Sequence, residues 1–247
     1  MTGGEFKVKP YVGAQTGYES TQTSVKHPGG TGTIKKGIPY ATVIGGVKLT
    51  VLSEKKDDRS FVADMKAGAG TALTGEVKLS YNEPIYKGLG LELSAGAKGL
   101  YDLPKSTYSF YDTQTVTIKN DNISSTITAN KEYTTKFNNN VVDAAIAVGP
   151  TYGGKWGKVG LYAKAGYRQQ FLNATHQEPD KIVDVLGANG NSVLLKGEKV
   201  AFNGTGKFYV TPSVNAEIVL RRREKATWNL NLTGDMNGGN VGFSASF

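Results

Sequence analysis

Val159-Gly-Leu-Tyr-Ala-Lys-Ala-Gly-Tyr-Arg168 splits its side chains into two sets: Val159, Leu161, Ala163, Ala165 and Tyr167 share one parity, and Tyr162, Lys164 and Arg168 share the other. A period of two marks a β-strand, because successive side chains leave opposite faces of the ribbon. The rhythm spreads in both directions. Upstream it runs through Phe6, Val8, Pro10, Val12 and Ala14, then Ala41 to Val51, Phe61 to Ala69, Val77 to Tyr81, Leu89 to Tyr101 and Val142 to Tyr152. Downstream it runs through Phe208 to Leu220, then Trp228, Leu230 and Leu232, and closes on Val241, Phe243, Ala245 and Phe247.

The placement of charge decides what kind of sheet this is. Within these segments no charge falls on the apolar parity. The other parity carries Lys7, Lys9, Lys48, Asp64, Lys66, Lys78, Glu92, Lys98, Asp102, Asp143, Lys164, Arg168, Glu217 and Arg221. A soluble sandwich also alternates, but it packs large aliphatics inward and shows a Lys/Glu/Thr-rich face to water. Here the apolar face is rich in alanine, with aromatics near strand ends (Phe6, Phe61, Tyr81, Tyr101, Tyr152, Tyr167, Trp228, Phe247), and the polar face mixes glycine with both signs of charge. Lipid outside and a narrow, ion-paired lumen inside account for that distribution. The expectation is all-β: a transmembrane antiparallel up-and-down β-barrel of about ten strands, filling 1–247 as a single domain. A soluble β-sandwich binding module is the weaker alternative.

Bulk numbers agree with a barrel without requiring one. The mean hydropathy of −0.33 over 247 residues looks soluble, and no apolar run approaches the roughly 18–20 residues of a membrane helix. A barrel wall escapes that test because only alternate residues meet lipid. There is no cysteine, so disulfides, thiolate metal sites and thiol nucleophiles are excluded. The net charge of +8 raises polyanions and anionic lipid as partners. Met1-Thr2-Gly3-Gly4 contains no charged-then-apolar leader, so the barrel reading implies that a leader or upstream region has been removed.

The connections sort by length. Short links are expected near 54–60, 83–88, 153–158 and 222–225 on one side. Long external loops are expected near 19–37, 103–140 and 173–205 on the other, with short turns at 74–76 and 237–240. That asymmetry is the barrel pattern of short periplasmic turns and long outer loops, with both chain ends periplasmic. Thr74-Gly75-Glu76 is read as a three-residue turn pairing Leu73 with Val77. Within 103–140, a hairpin about Asn120-Asp121-Asn122 is expected to project outside, since Asp112, Gln114 and Lys131 share the parity of its apolar residues. If it inserted, the barrel would have twelve strands.

The closing run Val241-Gly-Phe-Ser-Ala-Ser-Phe247 resembles the carboxy-terminal strand of Gram-negative outer-membrane proteins. That resemblance implies recognition of Phe243 and Phe247 by the barrel-assembly machinery. The last third, from Gly160-Leu-Tyr-Ala-Lys-Ala-Gly-Tyr-Arg168 through a long loop, a basic turn and a Trp-bearing strand, resembles the translocator (β) domain of autotransporters. Those domains usually have twelve strands and a helix threading the pore, whereas this chain enters its first strand almost at once. It reads as a trimmed translocator or a stand-alone barrel.

The search for chemistry ends without a catalytic site. His27 and His176 fall in expected loops, no histidine is placed on a strand, and two separate histidines do not make a metal cluster. Glu178 and Asp180 near His176 read as solvated loop residues. Gly187-Ala-Asn-Gly-Asn191 lacks the Lys-Ser/Thr ending of a phosphate loop, and Pro28-Gly29-Gly30-Thr31-Gly32 reads as a loop tip. Arg221-Arg222-Arg223-Glu224-Lys225 reads as a solvated basic turn, and scattered lysines disfavour nucleic acid. Catalytic, cofactor and metal residues are expected to be none, and the protein non-enzymatic. The expected lumen lining is Lys48, Lys66, Glu92, Lys98, Asp143, Lys164, Arg168 and Glu217, a ladder of ion pairs leaving the pore plugged, or narrow with a mild anion preference. The functions that follow are a barrel anchoring or exporting a surface-exposed region (a translocator or loop-based adhesin), or a small channel. Expected partners are outer-membrane lipid, the assembly machinery, and host polyanions or small anionic solutes.

Overall fold

The computed structural model describes residues 5–27, 30–52, 59–103, 105–120, 123–138, 140–177, 181–184, 192–195, 199–223 and 226–247. Every regular element among them is a strand. These are β1 (Glu5–His27), β2 (Gly30–Leu52), β3 (Ser60–Gly70), β4 (Ala72–Tyr86), β5 (Leu89–Asp102), β6 (Ser106–Asn120), β7 (Ile123–Phe137) and β8 (Asn140–Gly154). They continue as β9 (Gly157–Phe171), β10 (Asn173–Gln177), β11 (Lys181–Asp184), β12 (Ser192–Leu195), β13 (Lys199–Gly204), β14 (Gly206–Arg223), β15 (Ala226–Asp235) and β16 (Gly238–Ser246).

Ten of them close on themselves. The order β1-β2-β3-β4-β5-β8-β9-β14-β15-β16 is antiparallel throughout, and β16 returns to β1 with Tyr11 opposite Ser246 and Glu19 opposite Gly238. The fold is therefore a ten-stranded up-and-down barrel. The alternation drives closure: the apolar parity faces out (Val43 is 70% exposed, Leu161 62%), and the charged parity faces in, where Glu92, Asp143 and Arg168 are buried. An exposed apolar belt around a charged interior inverts a water-soluble protein and matches a wall in hydrocarbon. Aromatics border the belt at both rims: Phe6, Phe61, Tyr81 and Tyr152 at the short-turn end, and Tyr18, Tyr101, Tyr167, Phe171 and Phe208 at the other. This is an outer-membrane-type β-barrel, and the sandwich alternative falls with it.

At one end every connection is short. β4 joins β5 through Lys87 and Gly88, both with positive φ (34° and 86°), the left-handed pair that a tight two-residue hairpin needs. β8 joins β9 through Lys155 and Trp156. The turn expected at 74–76 lies instead at Thr71: Ala69 pairs Leu73 and Met65 pairs Val77. Thr71 is fixed there by donating its N–H to Ala41 O and accepting the Ala41 N–H on Oγ1. The physical reason is charge register. Turning at Thr71 sets Lys66 opposite Glu76 and Asp64 opposite Lys78, opposite signs on one inner face.

At the other end the three expected loops are largely strands. Residues 19–27 and 30–37 are not a loop: β1 and β2 stay paired from Glu5–Leu52 up to His27–Gly30, far beyond what a ~25 Å belt needs at about 3.3 Å per residue. Within 173–205, β13 adds to the raised part of β1, and β10 adds to β13. Within 103–140, β6 and β7 form a separate two-stranded sheet, so the twelve-stranded alternative does not arise. Residues 121 and 122 of that hairpin lie outside the described residues.

Candidate functional site: a charged lumen beneath a β-cap

Inside the wall the charged parity meets itself. Glu19 on β1 accepts from Arg168 on β9 at 2.7 Å and from Lys98 on β5. Asp143 on β8 stands 3.6 Å from Arg168 and 3.8 Å from Lys164, and Lys164 reaches Asp235 at 2.6 Å. Lys66 pairs Glu76 at 2.9 Å. Nearer the short-turn end Glu92 holds Lys78 at 2.8 Å and Lys158 at 2.6 Å, and Lys48 reaches Glu217 at 3.2 Å. Tyr11, Tyr162 and Tyr209 donate their hydroxyls to Asp64, Glu92 and Asp143. Removing one partner from such a network leaves a buried charge bare, at a cost of several kcal/mol.

Lys48, Lys66, Glu92, Lys98, Asp143, Lys164, Arg168 and Glu217 all enter these pairs. Lys78, which the sequence puts on the inward parity, completes them together with Glu19, Glu76, Lys158 and Asp235, which were missed from sequence. For Glu19 the signal was present: the odd parity of β1 continues through Gln15, Gly17, Glu19, Thr21, Thr23 and Val25, with Thr21, Thr23 and Val25 buried.

The interior narrows upward. At the short-turn end a vestibule of about 970 Å³ is lined by Lys48, Asn82, Lys158 and Glu217 among others. Above it the spaces fall to about 170 Å³ and then about 30 Å³, the last bounded by Gln15, Glu19, Tyr40, Lys98, Leu100 and Asp143. A space of that size takes a water or two. Tyr40, Leu100 and Val141, which line the same space, form a buried apolar cluster with Ile38 and Ala72.

Over this constriction sits a second core, outside the barrel. Val25 of β1, Val200 and Phe202 of β13, and Tyr108, Tyr133 and Phe137 of the β6–β7 hairpin are all buried together, with Ile34, Phe110, Leu172 and Ala174 at the margin. Tyr108 stacks on Phe137 at 4.0 Å, and Lys36 lies over the Tyr108 ring while donating to Thr107 O at 2.6 Å. The raised sheet β10-β13-β1-β2 forms one layer and the β6–β7 hairpin the other: a small β-cap packed as two sheets.

No protein-family model and no curated protein sequence matches the chain. Among solved structures it is similar to the attachment invasion locus protein Ail of Yersinia pestis, in complex with the heparin analogue sucrose octasulfate (8% identity, 96% of this chain and 95% of that one, TM-score 0.27). It is also similar to the outer membrane protease OmpT of Escherichia coli (12%, 98% and 95%, TM-score 0.37) and the toluene transporter TodX of Pseudomonas putida (7%, 95% and 88%, TM-score 0.21). At these scores no property is transferred from them, and the fold rests on the closed register itself.

The histidines stand on strands, contrary to the sequence expectation, because pairing carries β1 and β10 beyond the bilayer. His27 packs its ring on Phe110 (4.9 Å), and His176 meets the Tyr133 ring edge-on (6.4 Å). Glu178 and Asp180, Pro28 and Gly29, the Gly187–Asn191 run, and Glu224 and Lys225 lie outside the described residues. Phe243 stacks on Trp228 (5.4 Å), while Phe247 is 61% exposed and donates its N–H to Pro10 O.

Proposed function

We propose that this barrel anchors the β-cap at the cell surface as an adhesin-type binding platform for polyanions, with the long-loop end outside. The observation that carries the reading is the cap core: a barrel that only conducts or exports has no need of a second folded layer over a nearly closed lumen. The ion pairs that tie Glu19 to Lys98 and Arg168 occupy the lumen beneath the cap, which favours anchoring over export. Lys26, Lys35, Lys105, Lys136 and Lys199 of the cap are exposed, and exposed cations attract negative charge. Both histidines are packed on aromatic rings, which supports a non-enzymatic role. Phe243 and Phe247 are assigned to recognition by the assembly machinery, since Phe247 packs little in the finished barrel.

The test is binding of a sulfated polysaccharide such as heparin by the protein in uncharged detergent. Affinity should fall steeply as salt rises and drop on the order of tenfold in a Lys26→Gln/Lys105→Gln/Lys199→Gln variant. Salt-independent binding, or none, would remove the polyanion reading.

A further inference from the structure

The barrel wall is pierced between β1 and β14. β14 pairs β15 only from Ser213 onward, so Gly206–Pro212 is bonded to β9 alone. β1 leaves β16 at Glu19 and meets β13 at Thr23, so Ser20–Gln22 has no strand partner on that side. Between these two edges lies a cavity of about 290 Å³. Its sill is the β15–β16 turn, where Asn237 O accepts the Ser20 N–H. Its lintel is Thr205, whose Oγ1 donates to Gln22 O and whose carbonyl accepts the Gln170 N–H.

The cavity lies where neither edge has a strand partner across the gap, and residues of both parities line it. Arg168, Lys207 and Tyr209 come from the inner parity, and Gln22, Lys35 and Val210 from the outer. It is therefore a lateral window. Its outer surround is apolar and bare: Phe208 is 84% exposed, Val210 80% and Met236 79%, in line with the aromatic rim of Tyr167 and Phe171. The window thus opens at the level where hydrocarbon gives way to headgroups. Its lining is cationic and contains no acidic side chain. Arg168 is already matched by Glu19 and Asp143, but Lys35 and Lys207 form no ion pair among the described residues. Beside them Asn237, 4% exposed, has an amide nitrogen with no hydrogen-bond partner.

We propose that this window binds the phosphorylated headgroup of an anionic membrane amphiphile. Lys35 and Lys207 hold the phosphate from the two sides of the wall, and an acyl chain descends over Val210 and Met236. An apolar sill under two unpaired cations at the interface fits an amphiphile better than a free anion, because a free anion would leave Phe208, Val210 and Met236 without a role. Pro212, at the lower end of the bare β14 edge, is a residue used at sheet edges to discourage another strand from adding, which keeps the window from being sealed by β-pairing.

The experiment uses the full chain in an uncharged detergent, titrated with dioctanoyl phosphatidylglycerol and followed by the methyl NMR signals of Met236 and Val210 and by native mass spectrometry. The expected result is saturable 1:1 binding, weakened on the order of tenfold by Lys35→Gln with Lys207→Gln. Dioctanoyl phosphatidylcholine should bind at least tenfold more weakly, and millimolar inorganic phosphate should not displace the lipid. Equal binding of both lipids would reduce the site to nonspecific adsorption. Displacement by phosphate would make it a free-anion pocket, and an unaffected double variant would overturn the assignment. Both lysines are exposed, so the variants fold with the barrel.

Discussion

Arg168 and Glu19 stand 149 residues apart in the chain and meet at 2.7 Å inside the barrel, each side chain only 5% exposed. Their contact ties β9 to β1 across the lumen, beneath the cap. Glu19 also takes Lys98, so one carboxylate bridges two cations. Glu19→Ala is expected to destabilise the barrel by about 3–5 kcal/mol, since it strands buried positive charge. Replacing the pair by Glu19→Leu and Arg168→Met should restore part of that loss. The measurement is the temperature at which the compact, unheated band on an SDS gel gives way to the unfolded one.

The cap and the barrel have separate cores. Tyr133 is fully buried in the cap, so Tyr133→Ala should cost the cap about 3–5 kcal/mol. Hydrogen exchange should accelerate in β10, β13 and the β6–β7 hairpin while β3, β4, β15 and β16 keep their protection. Equal acceleration everywhere would mean one cooperative unit.

The constriction predicts electrical silence. Wild-type protein in planar bilayers should show no stable conductance, whereas a Tyr40→Ala/Leu100→Ala variant, which empties the apolar side of the narrowing, should show steps. Stable wild-type conductance would favour the channel reading over the anchor.

Phe247 separates assembly from stability. Its ring is exposed and it contributes mainly a backbone hydrogen bond to Pro10. Phe247→Ala should leave the stability of the finished barrel within about 0.5 kcal/mol of wild type, yet slow its insertion by the assembly machinery several-fold in a timed folding assay. A stability loss with unchanged insertion would reverse the assignment.

Alternation alone carried the barrel: which residues face lipid, that Lys164 and Arg168 face inward, and that the long connections share one end. These follow from a local property, because a strand turns every second side chain the same way and hydrocarbon tolerates no charge there. The turn at Thr71 was misplaced by the apolar pattern but encoded in the opposite charges Lys66–Glu76 and Asp64–Lys78, which constrain register where apolar parity cannot. The cap was not legible. Val25, Tyr108, Tyr133, Val200 and Phe202 come from three separate connections, and each stretch looks like a polar loop until the others cover it. The Glu19–Arg168 contact and the window between β1 and β14 likewise exist only once the sheet closes with its particular stagger. Facing is set residue by residue, but who meets whom across a lumen is set by closure, a property of the whole circle of strands.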